Sequence, residues 1–309
     1  MEQNINPSNS QFAWLRLEQV IPFELEDSFY WLLKNLEISR FSFEQDPDNN
    51  STQTLFVWLP LTEWSLRDQQ KLVQSLISLA KPFQLSLPAC KWTQVKDEDW
   101  SLSWKKSWKP DPVGKLILIL PAWLDVPENF SERKIVRLDP GSAFGTGSHP
   151  STRLCIEALD DDPPVGKTIA DLGCGSGILS LTGLKLGAKS SYAVDIDSLA
   201  ISATKNNSAL NGFSAKSLNV FQGSIDELEA NIAGKKIDLL LCNILAPVIK
   251  SMGPDFGKIL GYKGKLILSG LLVGQIKELQ EFFSPLGWEV LDIQIKDQWA
   301  LMLLTKKLT

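Results

Sequence analysis

Thr168-Ile-Ala-Asp171-Leu-Gly173-Cys-Gly175-Ser-Gly177-Ile-Leu179 decides the fold of this 309-residue chain. A short apolar run ends on an acidic residue, passes through alternating glycines and resumes as an apolar helical pattern. The stretch reads as strand, tight turn and helix. Glycines let the backbone turn sharply and let a ligand approach without meeting a Cβ. In doubly wound sheets that ligand lies at the carboxyl ends of the strands. The spacing is G-x-G-x-G after an aspartate, whereas a dinucleotide pyrophosphate calls for G-x-G-x-x-G. An acidic strand tip repels phosphate and attracts a cation. S-adenosylmethionine has no phosphate and carries a sulfonium and an ammonium, so it is the expected cofactor. Asp171 is the candidate to hold the ammonium, directly or through water. The same features disfavour a nicotinamide dehydrogenase.

Downstream the alternation continues. A strand over 192–196 ends Ala193-Val-Asp195-Ile-Asp197. An acidic residue about 20 positions after the glycine loop is the usual acceptor for a ribose diol, and Asp195 takes that role. Asp197 precedes a helix over 198–210 and reads as its cap. Strands follow over 218–222, 237–242 and 265–269, then a helix over 275–283. Short apolar strands alternating with helices predict a parallel sheet covered on both faces. The last two strands, 289–295 and 299–304, have no helix between them and predict an antiparallel hairpin at the sheet edge. The expected fold class is a doubly wound, Rossmann-like α/β methyltransferase sheet with that hairpin. At the fourth strand tip stands Leu241-Cys-Asn243-Ile-Leu-Ala-Pro247. Asn243 can offer a carbonyl oxygen to an incoming amine and an NH₂ to the cofactor; a turn-forming Asn before a helix start is the alternative.

Upstream of the deciding stretch lie short strands over 115–120 and 134–138, a glycine-rich segment over 141–147 and a helix over 150–159. Before these the composition shifts: nine of the eleven tryptophans precede residue 130, which predicts a separate module. In that module strand patterns over 12–20, 41–43, 54–59 and 85–95 alternate with helices over 23–38 and 65–79, Ser65 serving as N-cap. Asp46-Pro-Asp-Asn-Asn-Ser51 reads as a turn. The order β-α-β-β-α-β is that of a ferredoxin-like α+β unit. Trp100, Trp104 and Trp108 recur at helical spacing in a charged segment. They form either a partner-binding stripe or, the preferred reading, a connector helix. The expected organisation is an N-terminal domain over 1–95, a linker helix over 96–113 and the cofactor domain over 114–309.

Composition narrows the chemistry. The net charge of −5 disfavours binding naked nucleic acid. Cys90, Cys155, Cys174 and Cys242 show no metal-ligand or redox spacing, and His149 is the single histidine, so no metal is expected. The cysteine usage suits a reducing, cytoplasmic setting. No apolar run is long enough to span a bilayer.

The chain resembles the bacterial ribosomal protein L11 methyltransferases. The resemblance rests on Leu138-Asp-Pro-Gly-Ser-Ala-Phe-Gly-Thr-Gly-Ser-His-Pro-Ser-Thr152, on Asp171 to Gly177, on Val194-Asp-Ile-Asp197, on Asn243-Ile-Leu-Ala246 and on the tryptophan-lysine segment before Pro110. It covers essentially the whole chain, the N-terminal module more loosely. It implies cofactor contacts at Thr152, Gly173, Asp195 and Asn243. It implies methylation of lysine ε-amines, and in some members the N-terminal α-amine, of ribosomal protein L11. It makes the N-terminal module the substrate-recognition domain of an enzyme expected to be a monomer. The module departs from the compact family pattern around Asp46 to Ser51, where it is longer. A related methyltransferase acting on another protein amine or a small-molecule amine is the alternative, and a non-catalytic binding module a more distant one.

The residues fit an amine acceptor. Enzymes that methylate flat amide or adenine groups carry Asn-Pro-Pro-Tyr at this strand tip, whereas Asn243-Ile-Leu-Ala has no aromatic clamp. Around the cofactor, Gly175 completes the loop, and Phe144 either covers the methionine or adenine or packs in its own loop. His149 is a weak candidate for a base and a better one for ordering the Gly145-Thr-Gly147 turn. Cys174 is explained by its small size.

Overall fold

The computed structural model describes residues 14–36, 38, 40–46, 49–83, 85–95, 108–139 and 147–307. The chain divides into two compact units, Met1–Trp108 and Lys109–Thr309.

The first unit contains β1 (Trp14–Pro22), α1 (Glu26–Asn35), β2 (Phe41–Asp46), β3 (Asn49–Pro60), α2 (Leu66–Ala80) and β4 (Lys91–Val95). The strands form one antiparallel sheet in the order β2-β3-β1-β4. Alternate residues Leu15, Leu17 and Ile21 of β1 and Leu55, Val57 and Leu59 of β3 form one core with Phe29 and Leu33 of α1 and Leu72, Leu76 and Ala80 of α2. The strand period of two thus meets the helical i, i+4 spacing. Ser65 caps α2, its hydroxyl accepting from the Asp68 amide at 3.3 Å.

Several boundaries differ from the sequence pattern. The helix expected over 23–38 opens with a 3₁₀ turn, Phe23–Leu25, and its α-helical part stops at Asn35. The strand expected over 85–95 is confined to Lys91–Val95. Pro88 has no N–H to give a ladder, and its carbonyl accepts instead from Gln19 Nε2 at 2.8 Å. The segment 46–51 that reads as a turn belongs largely to β2 and β3, with Asp46 opposite Asn49. Of the expected linker helix, residues 96–107 lie outside the described residues, and Asp111–Val113 is a strand of the second unit.

The second unit runs β5 (Asp111–Val113), β6 (Ile117–Pro121), β7 (Lys134–Leu138), α3 (Pro150–Asp161), β8 (Thr168–Leu172), α4 (Ile178–Lys185), β9 (Ser190–Asp195), α5 (Ser198–Leu210) and β10 (Leu218–Gln222). It continues through α6 (Ile225–Ile232), β11 (Ile237–Asn243), α7 (Ala246–Met252), α8 (Phe256–Ile259), β12 (Leu260–Leu272), α9 (Ile276–Phe283), β13 (Trp288–Lys296) and β14 (Trp299–Lys306). Seven strands form the main sheet in the order β10-β9-β8-β11-β12-β14-β13. The first five are parallel; β14 runs antiparallel between β12 and β13. The closing hairpin therefore forms the edge, as its lack of an intervening helix predicts, and its second strand is the inner one.

Strand neighbours fall into different cores. Ile169, Leu239 and Leu241 pack on one face of the sheet, and Ala170, Leu240 and Cys242 on the other. Burial on both faces explains why these strands read as unbroken apolar runs. The chain steps outward from β8 through β9 to β10, then returns to build β11 and β12 on the opposite side. This reversal opens a crevice beyond the ends of β8 and β11. Strands β5, β6 and β7 form a small separate sheet. Its β5–β6 turn is fixed by Asp160 of α3, which accepts from the Lys115 amide at 2.6 Å. Helices α6 and α8 have no counterpart in the sequence pattern; α7 is the helix whose start was read after Asn243, with Pro247 in its first turn.

Candidate active site

The glycine loop leaves β8 in a conformation that favours glycine. Gly173, Gly175 and Gly177 have φ of 77°, 54° and 80°. Space is equally restrictive: a Cβ on Gly173 would lie 2.5 Å from Ile244 Cγ2, and one on Gly177 2.8 Å from Thr204 Cγ2. The Gly173 and Cys174 amides both donate to Val194 O, at 2.9 and 3.1 Å, so the loop is folded against the end of β9.

Asp195 stands at that strand end, half-buried. Its Oδ2 accepts from the Gly175 amide at 2.9 Å and its Oδ1 from the Asp197 amide at 3.0 Å. A carboxylate oxygen accepts more than one hydrogen bond, so both retain capacity for hydroxyl donors. Asp197 caps α5, Oδ1 accepting from the Leu199 amide at 2.8 Å, as its position predicts.

Asp171 is buried inside the turn, and its Oδ2 accepts from the amide and hydroxyl of Ser180 at 3.0 and 2.9 Å. Ser191 Oγ donates in turn to Ser180 Oγ at 2.9 Å. Burial raises the Asp171 carboxyl to about 6, against the opposing pull of the Ser180 hydrogen bonds and with a further push from Asp195. Oδ2 is thus committed to Ser180 of α4.

Across the crevice, Asn243 ends β11. Its Nδ2 donates to Thr152 Oγ1 at 3.2 Å, joining two of the expected site residues from distant parts of the chain. Thr152 lies in the first turn of α3. Ser269, opposite Asn243 on β12, donates to Ser151 O at 3.1 Å and braces the same turn.

The crevice, the glycine loop, the acidic end of β9 and the Asn243–Thr152 pair together outline a methyltransferase site. The family model of ribosomal protein L11 methyltransferase (PrmA) matches residues 13–307. The chain belongs to that family.

Its relatives within the family are close. The ribosomal protein L11 methyltransferase of Prochlorococcus marinus is 49% identical over 298 residues, covering 96% of this chain and 98% of the relative. That of Parasynechococcus marenigrum is 50% identical over 281 residues, covering 91% and 97%. The crystal structure of a ribosomal protein L11 methylase from Lactobacillus delbrueckii subsp. bulgaricus superposes with a TM-score of 0.59 at 30% identity, over 65% of this chain and all of that one.

Within this L11 methyltransferase fold, His149 has a structural partner set. It is the N-cap of α3: Nδ1 accepts from the Ser151 amide at 3.3 Å and lies 2.7 Å from Ser151 Oγ. The ring meets Trp299 edge-on at 4.5 Å. Burial lowers its pKa to about 4, so the ring is neutral at pH 7. Cys174 is buried beneath the loop, 3.4 Å from Thr204 Oγ1, and burial pushes its thiol well up, so it supplies no thiolate. Phe144 and most of the Gly141–Gly147 turn lie outside the described residues.

The sequence reading missed the residues that hold the loop from behind. Thr204 Oγ1 donates to Gly175 O and Asn207 Nδ2 to Ser176 O, both at 2.9 Å. The available signal was polar residues three apart on the buried face of α5, where an ordinary helix would place apolar ones.

Proposed function

We propose that this chain transfers methyl groups from S-adenosylmethionine to lysine ε-amines, and to the N-terminal α-amine, of the large-subunit ribosomal protein L11. The observation that carries the reading is the meeting of Asp171, three left-handed glycines and Asp195 at the end of β8, in a chain that matches the family over residues 13–307. The left-handed turn at Gly173 and the acceptor-only carboxylates suit a cationic, phosphate-free nucleoside.

Bound S-adenosylmethionine would supply an electrophilic methyl carbon already activated by the sulfonium. The chain's own residues then mainly position the partners. Asp195 would accept from the ribose hydroxyls, Asp171 Oδ1 would meet the ammonium, and the turn at Gly173 and Gly175 would seat the nucleoside beside them. Thr152 holds the Asn243 amide so that its oxygen points to the acceptor amine. An ammonium has no lone pair, so the acceptor must arrive unprotonated; an ordinary lysine pKa of about 10.4 makes this a requirement for a dry site.

The first unit, with its β-α-β-β-α-β order and antiparallel sheet, is read as a ferredoxin-like domain that recognises L11 through residues 1–95. Residues 114–309 are read as the catalytic domain, working as a cytoplasmic monomer without direct nucleic-acid contact.

The test is transfer of labelled methyl groups to purified, unmethylated L11, followed by mapping of the modified amines. Label on L11 lysines supports the reading. Binding of S-adenosylmethionine without transfer to L11 would remove the substrate while leaving the cofactor.

A further inference from the structure

Helix α5 turns Thr204 and Asn207 toward the interior of its unit, and its half-buried C-cap Asn211 continues the same face at the i, i+3, i+7 spacing. Asn207 is 1% exposed and uses both ends of its amide. Nδ2 donates to Ser176 O in the glycine loop at 2.9 Å, and Oδ1 accepts from the Asp139 amide just beyond β7 at 2.9 Å. One turn further on, Asn211 Oδ1 accepts from the Arg137 amide at 2.9 Å, and its Nδ2 donates to Arg137 O at 2.7 Å.

The geometry behind this is simple. One edge of β7 pairs with β6. On the other edge, the residue 137 and 139 amides point the same way, about 6.6 Å apart along a strand. Helix residues four apart rise by about 6 Å. Two asparagines at that spacing therefore finish the bare edge of β7 as a neighbouring strand would. Asn211 serves the edge and also donates from Nδ2 to Asn207 O at 2.8 Å. Asn207 also reaches the loop that meets the cofactor.

The stretch that leaves β7 at Asp139 returns at Gly147. A Cβ on Gly147 would lie 2.9 Å from Ile178 Cδ1, in the first residue of α4. Both ends of this stretch therefore abut residues 176–178, one by hydrogen bonds through Asn207 and the other by packing.

We propose that Asn207 is a positioning residue for methyl transfer, which locks the Asp139 end of β7 to the cofactor loop so that occupation of the loop is felt at Asp139. The inference rests on the methyltransferase reading above. Asn207 touches neither cofactor nor acceptor; it acts through Ser176 and Asp139.

The experiment compares wild type, Asn207→Asp and Asn211→Leu in the full chain. In Asn207→Asp a carboxylate oxygen still accepts from the Asp139 amide, while the donor to Ser176 O is lost. Cofactor affinity is measured by calorimetry, and exchange of the Asp139 amide by NMR with and without S-adenosylmethionine. In wild type the cofactor is expected to slow Asp139 exchange several-fold. In Asn207→Asp that response disappears and affinity falls ten-fold or more. Asn211→Leu, which strips the Arg137 bridge, keeps affinity within two-fold and keeps the response. A cofactor response at Asp139 that persists in Asn207→Asp, or equal loss of affinity in the two variants, would overturn the proposal. So would a wild type that binds cofactor without slowing Asp139. A wild type that binds no cofactor would instead overturn the methyltransferase reading. Should Asn207→Asp fail to fold, Asn207→Ser, which removes both bonds, is read by cofactor affinity alone: a loss of ten-fold or more against Asn211→Leu supports the proposal, and affinity within two-fold of wild type overturns it.

Discussion

The Asp195 carboxylate accepts a 2.9 Å hydrogen bond from the Gly175 amide, so the residue expected to hold a ribose also shapes the loop that holds the rest of the nucleoside. Its second oxygen takes the Asp197 amide at 3.0 Å. Asp195→Ala loses both, together with any ribose contact. Hydrogen bonds to a charged group contribute about 1.5–3 kcal/mol net, so cofactor affinity should fall by about ten- to one-hundred-fold. Calorimetry reads this directly, and unchanged affinity would count against Asp195 as a cofactor ligand. Asp195→Asn separates the two roles. An amide can accept from one of the backbone donors but not both, so its loss should be intermediate.

Two buried titrating groups pull the pH dependence of stability in opposite directions. Burial raises Asp171 from 3.8 to about 6. Between these values the folded state holds a proton that the unfolded chain releases, so this contribution is full below 3.8 and is lost as pH rises through 6. Burial lowers His149 from 6.5 to about 4. There the unfolded chain binds the proton that the folded one refuses, so the contribution is present above 6.5 and is lost as pH falls toward 4. Each shift corresponds to an effect on the order of 3 kcal/mol. Wild-type stability should therefore vary little with these two groups between pH 4 and 6.5. Asp171→Asn should make stability rise with pH across that window, and His149→Asn should make it fall. Denaturant melts at pH 4.5, 5.5 and 6.5 would show it; parallel curves for the two variants would refute the assignment.

Asp171 links cofactor binding to the same proton. An ammonium near Oδ1 favours the ionised carboxylate, so binding should release a proton near pH 6 and tighten as pH rises from about 5 to 7. Calorimetry in buffers of different ionisation enthalpy measures the proton count. No release at pH 6 would mean that Asp171 supports α4 through Ser180 and nothing else.

Gly173 tests whether the loop needs its glycines for space as well as for backbone freedom. In Gly173→Ala the residue keeps a positive φ at a cost of roughly 1–2 kcal/mol, and its Cβ must also displace Ile244 from 2.5 Å. Ile244 follows Asn243, so the disturbance reaches the acceptor side. The variant should melt lower and lose both cofactor binding and transfer. Gly166→Ala also has positive φ but meets nothing within 4 Å, so it should show the backbone cost alone.

What the sequence made legible follows a physical divide. The segment from β8 to α5 is local: a strand, its acidic tip, the glycines and the next strand lie in order, and their roles follow from spacing. Asp195 ends β9 and Asp197 caps α5, the places in the fold that this spacing predicts. Asn207, Ser180 and Thr204 were not legible. They bond to groups from 9 to 68 residues away, and a polar residue facing inward on a helix announces no partner. His149 was favoured for ordering the Gly145-Thr-Gly147 turn over acting as a base; its capping of α3 was open to reading too, since Pro150 opens α3 and the position before a helix-opening proline is a cap. The starts of β4 and α1 were misread because Pro88 and the 3₁₀ turn after Pro22 act through missing or redirected backbone hydrogen bonds.

The Asn243–Thr152 pair joins the two sides of the crevice over 91 positions of sequence, through one hydrogen bond of 3.2 Å. Thr152→Val keeps the shape of the side chain and removes the acceptor, which costs about 0.5–1.5 kcal/mol for a neutral pair. If the bond orients Asn243, the cost falls on turnover: Thr152→Val should lower kcat by up to about ten-fold with little change in the KM for L11. Asn243→Ala removes the oriented group itself and should lower kcat further. The double variant should be no worse than Asn243→Ala, because a hydroxyl with nothing to orient has no further effect on transfer. Multiplying losses in the double variant would show that Thr152 and Asn243 contribute separately, one to the cofactor and one to the acceptor.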